Sequence, residues 1–212
     1  MSEGLRRLQA KCGCTADGSF GPNTARGIMK YYDMSPERAA HFLGQVVIES
    51  ANFQAVEENL NYSVDAVMRV FGRYFDSHVE AKPYSRNPRA LANYVYMDKH
   101  RSAKSKLGNV NPGDGYAYRG RGFIQITGRA NVEKFAKDKG LPEVVDNPDI
   151  IATEYPMESA LWYFDRTRGL WKLCDGKVTK QSCKDITKKV NGGYNHLHER
   201  TEQTFKIYGW LK

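Results

Sequence analysis

The stretch Ser35-Pro-Glu-Arg-Ala-Ala-His-Phe-Leu-Gly-Gln-Val-Val-Ile-Glu-Ser50 constrains the fold of this chain more than any other. Ser35 is a helix cap, Pro36 suits a first helical turn, and Glu37 favours the positive end of a helix. Ala39, Ala40, Phe42, Leu43, Val46, Val47 and Ser50 then fall at helical spacing and mark a face that must be buried. His41, Gln45 and Glu49 recur every four residues and draw a polar line beside that face. Asn52 and Phe53 end the element.

Similar reasoning places helices at 63–75, from Pro88 to Met97, and at 129–139, 154–168, 180–190 and 195–209. Breaks fall at Gly140-Leu-Pro and around Asn147-Pro148. Residues 54–63 read as a loop or short hairpin, and residues 99–115 as a basic, then Gly/Asn/Pro-rich loop. No internal repeat and no long linker interrupts the pattern. The expected fold class is therefore mainly α with few short strands, its main body covering residues 35–212.

Residues 1–34 read as a helical lead-in. Asp17-Gly-Ser-Phe-Gly-Pro-Asn-Thr24 carries two turn signals, Asp-Gly and Gly-Pro. Together with Leu8-Gln9 it resembles the second half of a peptidoglycan-binding repeat. The match spans about half the length of such a module. A degenerate wall-binding element and a plain lead-in both remain open here.

A length of 212 residues with 41% apolar and 12% aromatic side chains is enough for a packed core, which excludes general disorder. The formal net charge of +8 implies an acidic partner surface. Nucleic acid, anionic lipid and bacterial wall all satisfy that. No run of about 18 apolar residues exists, so no transmembrane segment is expected. The N-terminal residues lack the apolar core of a signal peptide, which implies synthesis in a cytoplasm. The four cysteines form two close pairs, and Cys12-Gly-Cys14 is too tight for the usual zinc spacing. Free thiols are the plain expectation, and a Cys174–Cys183 bridge would require an oxidising compartment. The five histidines form no convincing ligand set, so no metal and no cofactor is expected.

Two segments carry chemistry. Glu49 sits near a helix end, flanked by Val46, Val47, Ile48 and Phe53, a setting that disfavours the charged form and suits a proton donor. The plainer reading is an exposed helix-end glutamate. Tyr118-Arg-Gly-Arg-Gly-Phe-Ile-Gln-Ile-Thr-Gly128 places two glycines beside arginines, allowing a close backbone approach. In an extended chain Gln125 and Thr127 would share one face, suited to a sugar hydroxyl or a water. Glycosidic cleavage needs a second carboxylate, for which Glu58 is the candidate and Glu57 its adjacent rival.

The motifs His41-Phe-Leu-Gly-Gln…Glu49-Ser50, Glu58-Asn-Leu-Asn-Tyr-Ser63, Tyr118–Thr127 and Val190-Asn-Gly-Gly193 occur in the order seen in family 19 glycoside hydrolases. Over residues 36–209 the chain resembles that family, and within it the lysozyme-like endolysins of bacteriophages. The resemblance implies a lysozyme-like, chitinase-like multi-helix domain with a groove between two helical lobes. It implies that Glu49 is the general acid, that Glu58 is the base activating water, and that Thr127 helps hold that water. Tyr62, Tyr118, Arg121, Gln125 and Asn191 fall where the family binds substrate or supports its carboxylates. Arg200 matches a family arginine near the acid. The plant enzymes carry their second glutamate farther along, in a longer loop that this chain lacks. Inversion at the anomeric carbon, which the family shows, goes with carboxyls about 6.5–9.5 Å apart.

The expected activity is hydrolysis of β-1,4 bonds in peptidoglycan by an endolysin that lyses its host. The expected partner is the glycan strand, with electrostatic contact to an anionic envelope, no nucleic acid, and a monomeric enzyme released to the wall by a separate pore. A chitinase and a non-catalytic wall-binding relative are the alternatives. A nucleic-acid-binding module would leave Glu49, Glu58 and Asn191-Gly-Gly193 unexplained.

Overall fold

A computed structural model describes residues 3–212. The chain is mainly helical, with fourteen α-helices among the described residues. In chain order they are α1 (Glu3–Lys11), α2 (Pro22–Tyr31), α3 (Pro36–Glu49), α4 (Val64–Phe71), α5 (His78–Ala81), α6 (Pro88–Val95) and α7 (Asp114–Ala117). They continue with α8 (Arg129–Lys139), α9 (Glu143–Asp146), α10 (Ile150–Thr153), α11 (Pro156–Arg166), α12 (Leu170–Cys174), α13 (Lys180–Asn191) and α14 (Leu197–Leu211). Strand pairing among the described residues is limited to isolated bridges, Glu57 with Arg121 and Arg121 with Ile126.

The expected caps are in place. Ser35 Oγ accepts from the Arg38 amide at 3.1 Å, with Pro36 at the first helical position. Thr179 and Ser182 form a reciprocal capping box at the start of α13. The helix expected over 63–75 is shorter as an α-helix. It stops at Phe71 and tightens into a 3₁₀ turn at Gly72–Tyr74.

Two compact units divide the chain. One comprises Met1–Val56, Gly122–Ile124 and Ala152–Lys212; the other comprises Glu57–Arg121 and Gln125–Ile151.

In the first unit, Phe42, Leu43 and Val46 of α3 pack with Phe164 of α11, Leu170 of α12, Ile186 of α13 and Ile207 of α14. Leu5, Leu8, Ala25 and Ile28 of α1 and α2 join the same core. The turn between α1 and α2 is built around one buried amide. Gln9 Nε2 donates to Asp17 Oδ1 at 2.8 Å and to Thr24 Oγ1 at 3.0 Å, while Gln9 Oε1 accepts from the Gly18 amide at 2.8 Å. That network gives Leu8-Gln9…Asp17-Gly…Thr24 a structural reason to occur together, because each buried polar group finds a partner.

Helix α3 packs tightly against α14 at Gly44. A Cβ there would overlap the Thr204 hydroxyl and come within 2.9 Å of the Thr204 Cα. Glycine inside a helix costs about 1 kcal/mol relative to alanine; here it permits the approach. The polar line on α3 meets partners along its whole length. His41 Nδ1 lies 2.9 Å from the Cys174 carbonyl, which can only accept, so Nδ1 carries the proton. In the neutral ring Nε2 then accepts from Ser182 Oγ at 2.8 Å. Burial holds the imidazole pKa below its ordinary value. Cys174 and Cys183 are buried free thiols.

In the second unit, Leu60, Val67, Phe71, Phe75, Leu91 and Val95 form a core rimmed by tyrosines. Phe75 stacks on Tyr94 with centroids 5.2 Å apart. The glycine-rich loop is held by side chains rather than by ladders. Asp98 accepts from the Leu107 and Gly108 amides at 2.7 and 3.1 Å, and Asp114 accepts from Val110 and Asn111 and pairs with Arg129.

Candidate active site

Glu49 closes α3, and what its carboxyl meets differs from its apolar flanks. The side chain is 26% exposed, and its Oε1 accepts from Arg200 Nη2 at 2.6 Å. Arg200 lies on α14 and is only 2% exposed. Its Nη1 donates to Gln45 Oε1 at 2.8 Å and its Nε donates to the Asn195 carbonyl at 3.1 Å. Gln45 in turn donates to Thr187 Oγ1 at 3.2 Å. One planar guanidinium therefore joins two residues a helical turn apart and fixes the Glu49 side chain. Oε2 has no hydrogen-bond partner among the described residues. The resemblance pointed to Arg200, whereas Gln45 and Thr187 were not singled out as site residues. The i, i+4 spacing of Gln45 and Glu49 was the available signal.

Asn191, at the end of α13 in the same unit, has a buried Oδ1 with no hydrogen-bond partner among the described residues. A buried acceptor left open calls for an explanation. Nearby, the Tyr163 hydroxyl donates to the Val190 carbonyl at 3.0 Å. The phenol's pKa is raised by burial first, with a smaller contribution from the Glu49 charge.

In the second unit three of the expected residues converge on Gly120. A Cβ on Gly120 would lie 2.6 Å from Gln125 Oε1, 3.3 Å from the Glu58 Cβ and 3.3 Å from Thr127 Oγ1. The close approach expected of a glycine in this segment occurs here. Two hydrogen bonds tie the segments together: the Glu58 amide donates to the Gly120 carbonyl at 2.9 Å, and the Gly120 amide donates to the Glu58 side-chain Oε2 at 3.3 Å. Glu58 Oε1 accepts from the Tyr96 hydroxyl at 2.5 Å. Tyr96 stays a proton donor, since burial foremost and then the Glu58 charge raise its pKa. It was not foreseen, because nothing in the sequence ties the end of α6 to the loop carrying Glu58. Tyr62 also lies near Glu58, whose charge adds to burial in raising the phenol pKa.

Thr127 Oγ1 donates to the Gln125 carbonyl at 3.0 Å, which leaves its lone pairs free to accept. The chain here is not extended as the alternation implied. Gln125 has φ +57°, and the Arg121 and Ile126 backbones exchange hydrogen bonds of 3.1 and 2.8 Å across a tight turn. Turn geometry, rather than a shared strand face, brings Gln125 and Thr127 together.

Tyr118 and Arg121 are buried. Arg121 ion-pairs with Asp149 and donates to the Ala117 and Arg119 carbonyls at 2.7 and 3.0 Å. The Tyr118 hydroxyl donates to the Val145 carbonyl at 3.0 Å. Both hold backbone in place. Glu57, the rival carboxylate, is ion-paired with Arg119. No group of three or more His, Cys, Asp or Glu side chains among the described residues is arranged to hold a metal ion. No described helix is long and apolar enough to cross a membrane.

No family model matches the chain. A protein of Haemophilus influenzae described as a glycosyl hydrolase family 19 domain-containing protein is 33% identical over 190 residues, covering 84% of this chain and 86% of that protein. With that identity over most of both chains, this chain belongs to glycoside hydrolase family 19.

Proposed function

We propose that the chain is an endolysin that hydrolyses β-1,4 bonds of peptidoglycan next to N-acetylmuramic acid by an inverting mechanism. The observation that carries this reading is the single-sided hold on Glu49. Arg200 binds Oε1 and orients the carboxyl, so Oε2 can present a proton to the leaving glycosidic oxygen. Glu58 serves as the base. Two donors, Tyr96 O–H and the Gly120 amide, hold its two oxygens in place, and the Thr127 hydroxyl accepts a hydrogen from the attacking water. The open acceptor on Asn191 suits the N–H of an acetamido group, which both sugars of the wall carry. The net charge of +8 favours approach to an anionic wall.

The test compares wild type, Glu49→Gln and Glu58→Gln on purified peptidoglycan, with the new reducing ends identified by mass spectrometry. Reducing N-acetylmuramic acid, absent with Glu49→Gln and sharply reduced with Glu58→Gln, supports the reading. Reducing N-acetylglucosamine would make the enzyme a glucosaminidase. Cleavage of chitin oligomers with peptidoglycan left intact would make it a chitinase.

A further inference from the structure

A pocket of about 330 Å³ lies in the first unit, between the end of α3 and the outer face of α14. Its size is at the lower end of small-ligand sites. Val47 and Ile48 contribute an apolar floor, Phe20 and Trp210 contribute aromatic walls, and Asn52 and Gln203 stand at the rim. The two rings pack against each other at a tilt of 58° with centroids 6.0 Å apart, and Phe20 also packs on Phe53 at 4.6 Å. The side chains that hold the Glu49 carboxyl take no part in this lining.

Two features mark it as more than a surface dent. Asn52 and Gln203 make no side-chain hydrogen bond to any described residue, and Lys206, also at the rim, lies only over the Trp210 ring, at 5.3 Å. The backbone beneath is strained. Ala51, Asn52 and Phe53 have φ of +46°, +61° and +63°, a left-handed run with no glycine in it. Such a run costs of order 1–3 kcal/mol per residue and persists only where its surroundings enforce it. Here the enforcement is visible. The Asn52 amide donates to the Val47 carbonyl at 2.7 Å, the Phe53 amide donates to Ser50 Oγ at 2.9 Å, and the Phe53 ring is fully buried. The result presents an amide side chain beside an aromatic wall.

We infer that this pocket is a second saccharide site, which binds an acetamido sugar of a β-linked glycan apart from the Glu49 carboxyl. The flat C–H face of a pyranose packs on Trp210 with Phe20 against its edge, and the acetamido methyl reaches the partly exposed Ile48. The Asn52 and Gln203 amides each offer a donor and an acceptor to the acetamido group and ring hydroxyls. An aromatic wall with a few converging amides is the usual make-up of a small-ligand site. Its role would be to hold insoluble glycan while hydrolysis proceeds elsewhere.

The experiment measures equilibrium adsorption of the full chain to chitin beads and to cellulose beads, alongside kcat/KM on a soluble N-acetylated tetrasaccharide. The variants are Trp210→Ala, Gln203→Ala and Asn52→Gly. The last removes the amide while glycine accepts the backbone angle without strain, so it guards against simple misfolding. Adsorption to chitin reduced at least about fivefold (about 1 kcal/mol) in each variant, with kcat/KM unchanged and little retention on cellulose, supports the inference. Unchanged adsorption overturns it. Equal losses on cellulose overturn the acetamido assignment, and kcat/KM falling in step with adsorption overturns a separate site. If wild type hydrolyses neither peptidoglycan nor chitin oligomers, the proposed activity fails while the adsorption data still decide this inference.

Discussion

Arg200 donates to Glu49 at 2.6 Å from a position 151 residues later in the chain, and the same guanidinium holds Gln45. A planar fork can serve both acceptors at once, whereas an ammonium acts as a single point. Arg200→Lys is therefore expected to keep the charge and lose the bridge. Hydrolysis should fall at least about tenfold, and stability by roughly 1–3 kcal/mol, the cost of leaving a buried acceptor unpaired. Arg200→Gln should lose more on both counts. Denaturation midpoints measured beside initial rates check this; unaltered rates in Arg200→Lys would detach the bridge from catalysis.

Tyr96→Phe removes the hydroxyl on Glu58 without changing the shape of the side chain. A hydrogen bond to a charged group contributes about 1.5–3 kcal/mol. The expected result is a rate loss of roughly tenfold or more, with the fold retained by circular dichroism. A full-rate variant would show that the Gly120 amide alone suffices to place Glu58.

Gly120→Ala tests the convergence of Gln125, Glu58 and Thr127. The added methyl would sit 2.6 Å from Gln125 Oε1 and press on the other two. Overpacking of this kind costs about 1–3 kcal/mol where the neighbours cannot yield. The prediction is a larger fall in kcat than in thermal stability, read from steady-state kinetics and a melting curve.

His41 supplies a pH signature. Its pKa is held below the ordinary 6.5 by burial, so between the two values the unfolded chain binds more protons than the folded one. Stability should be complete above pH 6.5 and decline as the pH falls below it. His41→Gln should flatten that slope. Melting temperatures between pH 7.5 and 5 settle the point, and a slope unchanged in the variant would assign it to another group.

Much of this was readable in advance where the signal is local. The Ser35 cap, the apolar face of α3 and the interval between Gln45 and Glu49 depend on neighbours in sequence, and the helix over Arg129–Lys139 has the bounds that its pattern implies. Failures came where distant segments meet. Alternation at Gln125 and Thr127 implied an extended chain, but two backbone bonds between Arg121 and Ile126 closed a turn that periodicity does not encode. Tyr96 reaches Glu58 across 38 positions, a pairing that no spacing rule contains. The apolar flanks of Glu49 gave no hint that its carboxyl would meet a buried cation. The resemblance named Arg200, and only the packing of α14 on α3 shows how it gets there.

That packing rests on a side chain that is missing. Because Gly44 lacks a methyl group, α3 and α14 settle at the distance that Thr204 allows. Arg200 stands one helical turn before Thr204, and Glu49 lies further along α3 from Gly44. The separation of the two helix axes thus acts as the gauge that sets how far the guanidinium must reach. Any residue larger than glycine at position 44 would reset that gauge. The Glu49 carboxyl would be displaced by a change that touches neither Glu49 nor Arg200.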